Sequence, residues 1–246
     1  MPYIQAAIDA NIELYNTLYT SVDCTLFDYA LETNQVGAGG DRSLVIDLLA
    51  EDTFIKYLSS YGQIHSEESG YIGEKNSFDI IIDPIDGSAN ISSGFPYYGS
   101  SVSFRRDGET IGAVIANLAV GEIFVKTEDK LYKFDIASNT IQSDLICQEP
   151  KLGLFEKAYS NPDIVKKLSD ASFKFRSPGA VALSLAYAYQ VKFVLFIGKH
   201  RIFDVDAGLF FCNNLHTYIT EDCILICRDR EIFEKLINLV GDGEIE

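Results

Sequence analysis

Apolar residues recur at Ile4, Ala7, Ile8, Ile12, Tyr15 and Leu18, a spacing of three and four that predicts an amphipathic helix over 3–18. A second helix is predicted over 22–31. A third is predicted over 44–61, where Ile46, Leu49, Ala50, Phe54 and Leu58 share one face. The intervening stretch 35–42 holds three glycines and an aspartate and reads as a loop. The period then shortens. Residues 63–66 read as a short strand ending at Glu67-Glu68, and Phe78-Asp79-Ile80-Ile81-Ile82 as a β-branched strand that runs straight into Asp83. Strands with short turns follow at 98–105, 110–118, 121–127 and 130–135, implying an antiparallel sheet backed by the N-terminal helices. Beyond 142 the texture changes to alternation, with strands at 151–155, 173–176 and 191–197 and helices at 161–169, 179–189 and 205–213. No internal repeat is present.

The expected architecture is α+β to α/β. Residues 1–142 form a lobe of helices and antiparallel sheet, and residues 143–246 form an α/β lobe. The chain of 246 residues, 47% hydrophobic, is long enough to bury a sizeable core. No apolar run approaches the roughly 18–20 residues of a membrane-spanning helix. Met1-Pro2-Tyr3-Ile4 lacks the basic and apolar regions of a secretory signal. Cys24, Cys147, Cys212, Cys223 and Cys227 are odd in number and include no Cys-x-x-Cys, which argues against a disulfide framework or a zinc knuckle and suits a reducing cytoplasm. Twenty basic against 36 acidic residues give a net charge of −16, which repels nucleic acid and anionic membrane. Neither is an expected partner.

The acidic residues become informative where they interrupt apolar stretches. Asp83 and Asp86 end a strand of mostly apolar residues, with Pro84 and Gly87 turning the chain. On its own, such an Asp-x-x-Asp reads as a turn that terminates a strand. Two carboxylates this close repel unless one is protonated or a cation lies between them. Hard divalent cations take oxygen ligands, including carbonyls such as that of Ile85, and with few histidines nearby Mg²⁺ suits the set better than Zn²⁺. Gly87-Ser88-Ala89-Asn90 can open a helix whose free N–H groups would cradle a phosphate. The other acids are ambiguous when taken singly. Glu67-Glu68 alone reads more readily as a surface pair, Asp47 as a first-turn acid of its helix, and Asp204 equally as a helix cap. His65 reads as a structural strand residue.

Together these segments resemble the inositol monophosphatase family of lithium-sensitive, Mg²⁺-dependent phosphatases. The matching motifs are His65-Ser66-Glu67-Glu68-Ser69-Gly70, Asp83-Pro84-Ile85-Asp86-Gly87-Ser88-Ala89-Asn90 and Phe203-Asp204-Val205-Asp206-Ala207-Gly208. The stretch from Gly37 to Asp47 and Arg176-Ser177-Pro178-Gly179-Ala180-Val181 resemble the archaeal-type branch with combined fructose-1,6-bisphosphatase and inositol monophosphatase activity. The resemblance implies the layered α-β-α-β-α sandwich of that family, with a mixed, largely parallel second sheet. It also implies two to three Mg²⁺ ions. Glu67, Asp83 and the Ile85 carbonyl would hold one, and Asp83, Asp86 and Asp204 a second. Glu67 would hold a third through water. Asp47 and Ser88 match the acid–hydroxyl pair that acts on the attacking water. Asp86 and the Gly87 and Ser88 N–H groups would bind substrate, with Arg176 and Val181 contacting its remainder. The implied reaction is hydrolysis of a small sugar or polyol phosphate by a homodimer.

Departures from the family pattern fall near the last ligand. Leu195 and Ile197 stand where the branch carries an acid and an arginine, which removes a cation suited to a second substrate phosphate. Asp206 replaces a usual alanine and reads as a solvated helix residue. The alternatives are a 3′-phosphoadenosine 5′-phosphate nucleotidase within the family, or a family member that has become a binding or regulatory subunit.

Overall fold

The computed structural model describes residues 1–20, 26–40 and 42–241. Its elements in chain order are α1 (Pro2–Thr20), α2 (Leu26–Tyr29), β1 (Glu32–Val36), β2 (Arg42–Leu44), α3 (Val45–Leu58), β3 (Gly62–Ser66), β4 (Gly70–Ile72), β5 (Phe78–Asp86), α4 (Ser88–Ser92), β6 (Gly99–Arg106), β7 (Glu109–Asn117), β8 (Glu122–Thr127), β9 (Leu131–Asp135) and β10 (Thr140–Gln142). There follow β11 (Gly153–Glu156), α5 (Pro162–Asp170), β12 (Phe175–Arg176), α6 (Val181–Ala186), β13 (Val194–Ile197), α7 (Ile202–Cys212), β14 (His216–Ile219), β15 (Cys223–Cys227) and α8 (Arg230–Val240).

Side-chain alternation along the strands sorts these elements into layers. Ile64, Ile80, Ile82, Val102 and Phe104 point from one face of an eight-stranded sheet toward α1 and α3, whose Ile4, Ala7, Leu14, Ile46, Phe54 and Leu58 complete that core. Ala113, Ile115 and Phe124 point the other way, into a middle layer that includes Leu183 and Leu185 of α6 and Val205 and Phe211 of α7. A five-stranded sheet closes the middle layer with Val194, Phe196, Ile224 and Ile226, and its outer face packs Leu195 and Leu225 against α5 and α8. The result is the α-β-α-β-α sandwich. β13 is covered on both faces, which explains its unbroken run of apolar residues. Leu195 is fully buried in the outer core, so the departure at this position is a packing choice.

The sheet orders are β10-β9-β8-β7-β6-β5-β3-β4 and β12-β11-β13-β15-β14. In the first sheet β3 and β5 are parallel and the other pairs antiparallel. In the second, β11 is parallel to both β12 and β13, while β15 is antiparallel to its neighbours. α6 and α7 approach each other closely: a Cβ at Gly208 would lie 2.4 Å from Leu185 Cδ1.

Three local expectations change. Of the helix predicted over 22–31, Leu26–Tyr29 is helical and 22–25 lie outside the described residues. The loop predicted over 35–42 is the tip of a β1–β2 hairpin, with Asp41 outside the described residues. The hairpin is held by partners distant in sequence: Ala38 N donates to Glu68 O and Gly39 N to Glu67 O, each at 2.8 Å. Asp206, expected to be solvated, faces the sheet. Its Oδ2 accepts from Ser103 Oγ at 2.6 Å and Thr110 Oγ1 at 2.9 Å, and Arg105 Nε lies 4.0 Å from its Oδ1. Asp206→Ala should therefore lower stability by about 1–3 kcal/mol in urea titrations, because it strips partners from part-buried polar groups. A change within error would mean that water replaces the carboxylate.

Candidate active site

β5 carries two acids to the same place through an irregularity. Asp83 pairs with Ser101 and Asp86 with Gly99, so three steps on β5 match two on β6. One extra residue restores the parity that a three-residue spacing would otherwise break, and both side chains reach one face. Gly87 then turns at φ 96°, where an added Cβ would meet Tyr97 O at 3.1 Å and Ala180 Cβ at 3.2 Å. Asn90 fixes the turn by donating to Tyr97 O at 2.6 Å and Pro178 O at 2.7 Å.

Glu67 arrives from the end of β3, which is parallel to β5, and Asp204 from the first turn of α7. Carboxylate oxygens of Glu67, Asp83 and Asp204 lie within 4.8 Å of one another. Asp47, in the first turn of α3, accepts from Leu44 N at 2.6 Å and lies 3.3 Å from the Ser88 hydroxyl. The same hydroxyl is 3.1 Å from the Ile85 carbonyl. Asp86 accepts from Val181 N at 3.0 Å and Leu183 N at 2.8 Å, holding the start of α6 against the turn. Apart from the buried Leu183, all of these residues, with Gly87, line one cleft of about 710 Å³. A cavity of about 770 Å³ between Met1, Ile4 and Leu131 holds Asp129 as its one lining carboxylate and cannot offer a multi-acid centre.

Burial sets the electrostatics. It pushes the Asp47 and Glu67 carboxyls up to about 7 and Asp86 up to about 8. Asp83 is raised well above the usual range by burial first, then by Glu67, Asp86 and Asp204. Carboxyls gathered this way either hold protons or require a cation. An all-oxygen, anionic donor set fits a hard divalent ion.

Residues without a motif signal also enter the cleft. Arg201 Nη1 lies 2.6 Å from Glu67 Oε1, while its Nη2 and Nε donate to Asp204 at 2.9 and 3.1 Å. Lys157, in a left-handed conformation at φ 55°, sets its ammonium 5.0 Å from the Phe196 ring centre, and both residues line the cleft. The buried Glu156 accepts from Gly179 N at 2.9 Å and bonds Ser184 Oγ, shaping the loop that follows Arg176. Arg176 itself is exposed on β12, donates to Phe175 O at 2.8 Å, and is not among the cleft residues. His65 stacks on Tyr71, with ring centroids 4.1 Å apart.

The sequence model of the inositol monophosphatase family matches residues 3–213. The chain belongs to the inositol monophosphatase family. That family is generally metal-dependent, in keeping with the acidic cluster. Among similar proteins is a fructose-1,6-bisphosphatase of Pyrococcus furiosus, 26% identical over 156 residues, covering 62% of this chain and 58% of that protein. Another is a bifunctional NADP phosphatase/NAD kinase of Methanococcus maripaludis, 25% identical over 254 residues, covering 86% of this chain and 45% of that one. The matches thus span about half the length of these two relatives. The fold is shared with the MJ0109 gene product, described as an inositol monophosphatase–fructose 1,6-bisphosphatase, at a TM-score of 0.78, 18% identity, and coverage of 98% of this chain and 100% of that one.

Proposed function

We propose that this chain is a Mg²⁺-dependent phosphomonoesterase acting on a small sugar or polyol phosphate. The observation that carries the reading is the convergence of Glu67, Asp83 and Asp204 within 4.8 Å beside the Asp47–Ser88 pair. Glu67, Asp83, the Ile85 carbonyl, Asp86 and Asp204 would hold the ions. Bound Mg²⁺ would supply charge neutralisation at the phosphoryl group and a more acidic water. Ser88 would orient that water, with Asp47 accepting from the hydroxyl. The Gly87 and Ser88 N–H groups would face the phosphate. Phe196 and Lys157 would meet the rest of the substrate, and Asp86, through its hold on Val181 and Leu183, would fix the wall between them.

Phosphate release with Mg²⁺ from inositol 1-phosphate, fructose 1,6-bisphosphate, 3′-phosphoadenosine 5′-phosphate and NADP tests this reading. Turnover on the sugar or polyol compounds supports it. Turnover confined to the two nucleotides would move the assignment to a nucleotide phosphatase. No turnover on any would favour a binding role. Ser88→Ala is expected to lower kcat by about 10²-fold, the usual scale for a group that positions or shuttles a proton, with KM little changed. A mainly KM effect would assign Ser88 to substrate binding instead.

A further inference from the structure

The guanidinium of Arg201 lies inside the ion-holding set itself. One nitrogen meets Glu67 Oε1 at 2.6 Å, two engage both oxygens of Asp204, and Nη1 is 3.3 Å from the Gly39 carbonyl. The backbone has been shaped around this group. A Cβ at Gly39 would come 2.7 Å from Nη1 and 2.8 Å from Glu67 Oε1, and the turn is fixed there by the bond from Gly39 N to Glu67 O. Arginine cannot shed its charge at any physiological pH, and its fork matches carboxylates in two directions. Glu67, Asp83, Asp86 and Asp204 carry four negative charges when ionised, which two divalent ions neutralise. Any further ion at Glu67 has to displace charge-assisted N–H bonds and sit beside a fixed positive charge.

We propose that Arg201 is a resident cation of this site, taking the place of one divalent ion at Glu67, so that the saturated chain holds two ions rather than three. The inference rests on the metal-dependent reading above. It assigns Arg201 a positioning role: it holds Glu67 and Asp204 together before any ion binds and limits how many enter.

Calorimetric titration of Mg²⁺ into chelator-stripped protein, at fixed ionic strength and without substrate, tests it on wild type, Arg201→Gln, Arg201→Lys and Gly39→Ala. Wild type should take two ions. Arg201→Gln should take a third, or bind its last ion about tenfold tighter or more, as removal of a neighbouring unit charge requires. Its metal-free melting temperature should fall, and its rise on saturation with Mg²⁺ should exceed that of wild type. Arg201→Lys, which keeps the charge, should retain the wild-type count. Gly39→Ala, which keeps the arginine but crowds the contact between its guanidinium and Glu67 Oε1 from both sides, should shift in the direction of Arg201→Gln, and it answers the question if that variant does not fold. An unchanged count and affinity in both Arg201→Gln and Gly39→Ala would overturn the inference while leaving the metal site intact. Weaker binding in both would also overturn it, because Arg201 would then be assisting the ions. No binding to wild type at all would remove the metal-dependent reading and this inference with it.

Discussion

Asp83→Asn is expected to abolish phosphate release and, in the same variant, to raise the melting temperature of the metal-free protein. Both effects come from one position. Asp83 is 3% exposed, with carboxylate neighbours Glu67 and Asp204 close by and Asp86 three residues along the same strand. As a shared ligand it would contribute several kcal/mol of transition-state stabilisation through the ions, so turnover should fall by about a thousandfold or more. Without ions the same carboxyl is a liability. At neutral pH it must either take up a proton on folding or stay charged in a dry site, and an amide of the same shape does neither. A gain of about 2–6 °C is the scale for removing one to two such kcal/mol from a domain of this size. Calorimetry in chelator and phosphate release in Mg²⁺ measure the two halves separately. Near-normal turnover would remove Asp83 from the chemistry. A lower metal-free melting temperature would mean that its hydrogen bonding outweighs repulsion.

The second large effect is an inverted response to pH. Asp47 and Glu67 sit at about 7 and Asp86 at about 8, all above the roughly 4 of carboxylates in an unfolded chain. Between those values the folded protein binds more protons than the unfolded one. The contribution of these groups is therefore fully present below about pH 4 and disappears as pH rises through 7 to 8. The metal-free protein should melt progressively lower from pH 5.5 to 8.5. Mg²⁺ should reverse the trend, because ion binding expels the protons and tightens as pH rises. Glu13 and Asp135, whose carboxyls are lowered by hydrogen bonds to Lys56 and Ser138, act in the opposite sense but only in the acid range, outside this window. Thermal scans across pH, with chelator and with Mg²⁺, give the comparison. A flat profile in chelator would show that these carboxyls are not buried as described.

How much of this was visible in the chain depended on how local each signal was. The helical spacing of Ile4 through Leu18 and the run Phe78 to Ile82 predicted α1 and β5 because their periodicity is set by the layer they bury. The hairpin at 32–44 was invisible as a hairpin, since its turn is stabilised by the carbonyls of Glu67 and Glu68 some thirty residues away. The burial of Asp206 is hidden from its neighbours for a related reason: its partners Ser103 and Thr110 lie on strands about a hundred residues earlier. At the site, the resemblance to the family's motifs points to Asp47, Glu67, Asp83, Asp86, Ser88 and Asp204 as candidates, and all six line one cleft. Arg201 lay in plain view three residues before Asp204, yet its meaning comes from reaching back to Glu67. Lys157 carried no signal at all, because neither its left-handed backbone nor its place over Phe196 can be read from neighbouring residues. Arg176 matched a motif but lies outside the cleft walls.

The close crossing of α6 and α7 carries a consequence for heredity. Asp204 has no freedom of its own, since it rides on α7, and the height of α7 over the sheet is set where Gly208 meets Leu185. A methyl group there would push apart two helices, one bearing Asp204 and the other gripped by Asp86. In a library of random variants sorted by growth on a phosphorylated substrate, Gly208 should drop out as early as the acids themselves, although it can touch neither ion nor substrate. Lineages of this chain would then preserve a silent spacer as strictly as a reacting group, and a search for the active centre by invariance alone would count it as one.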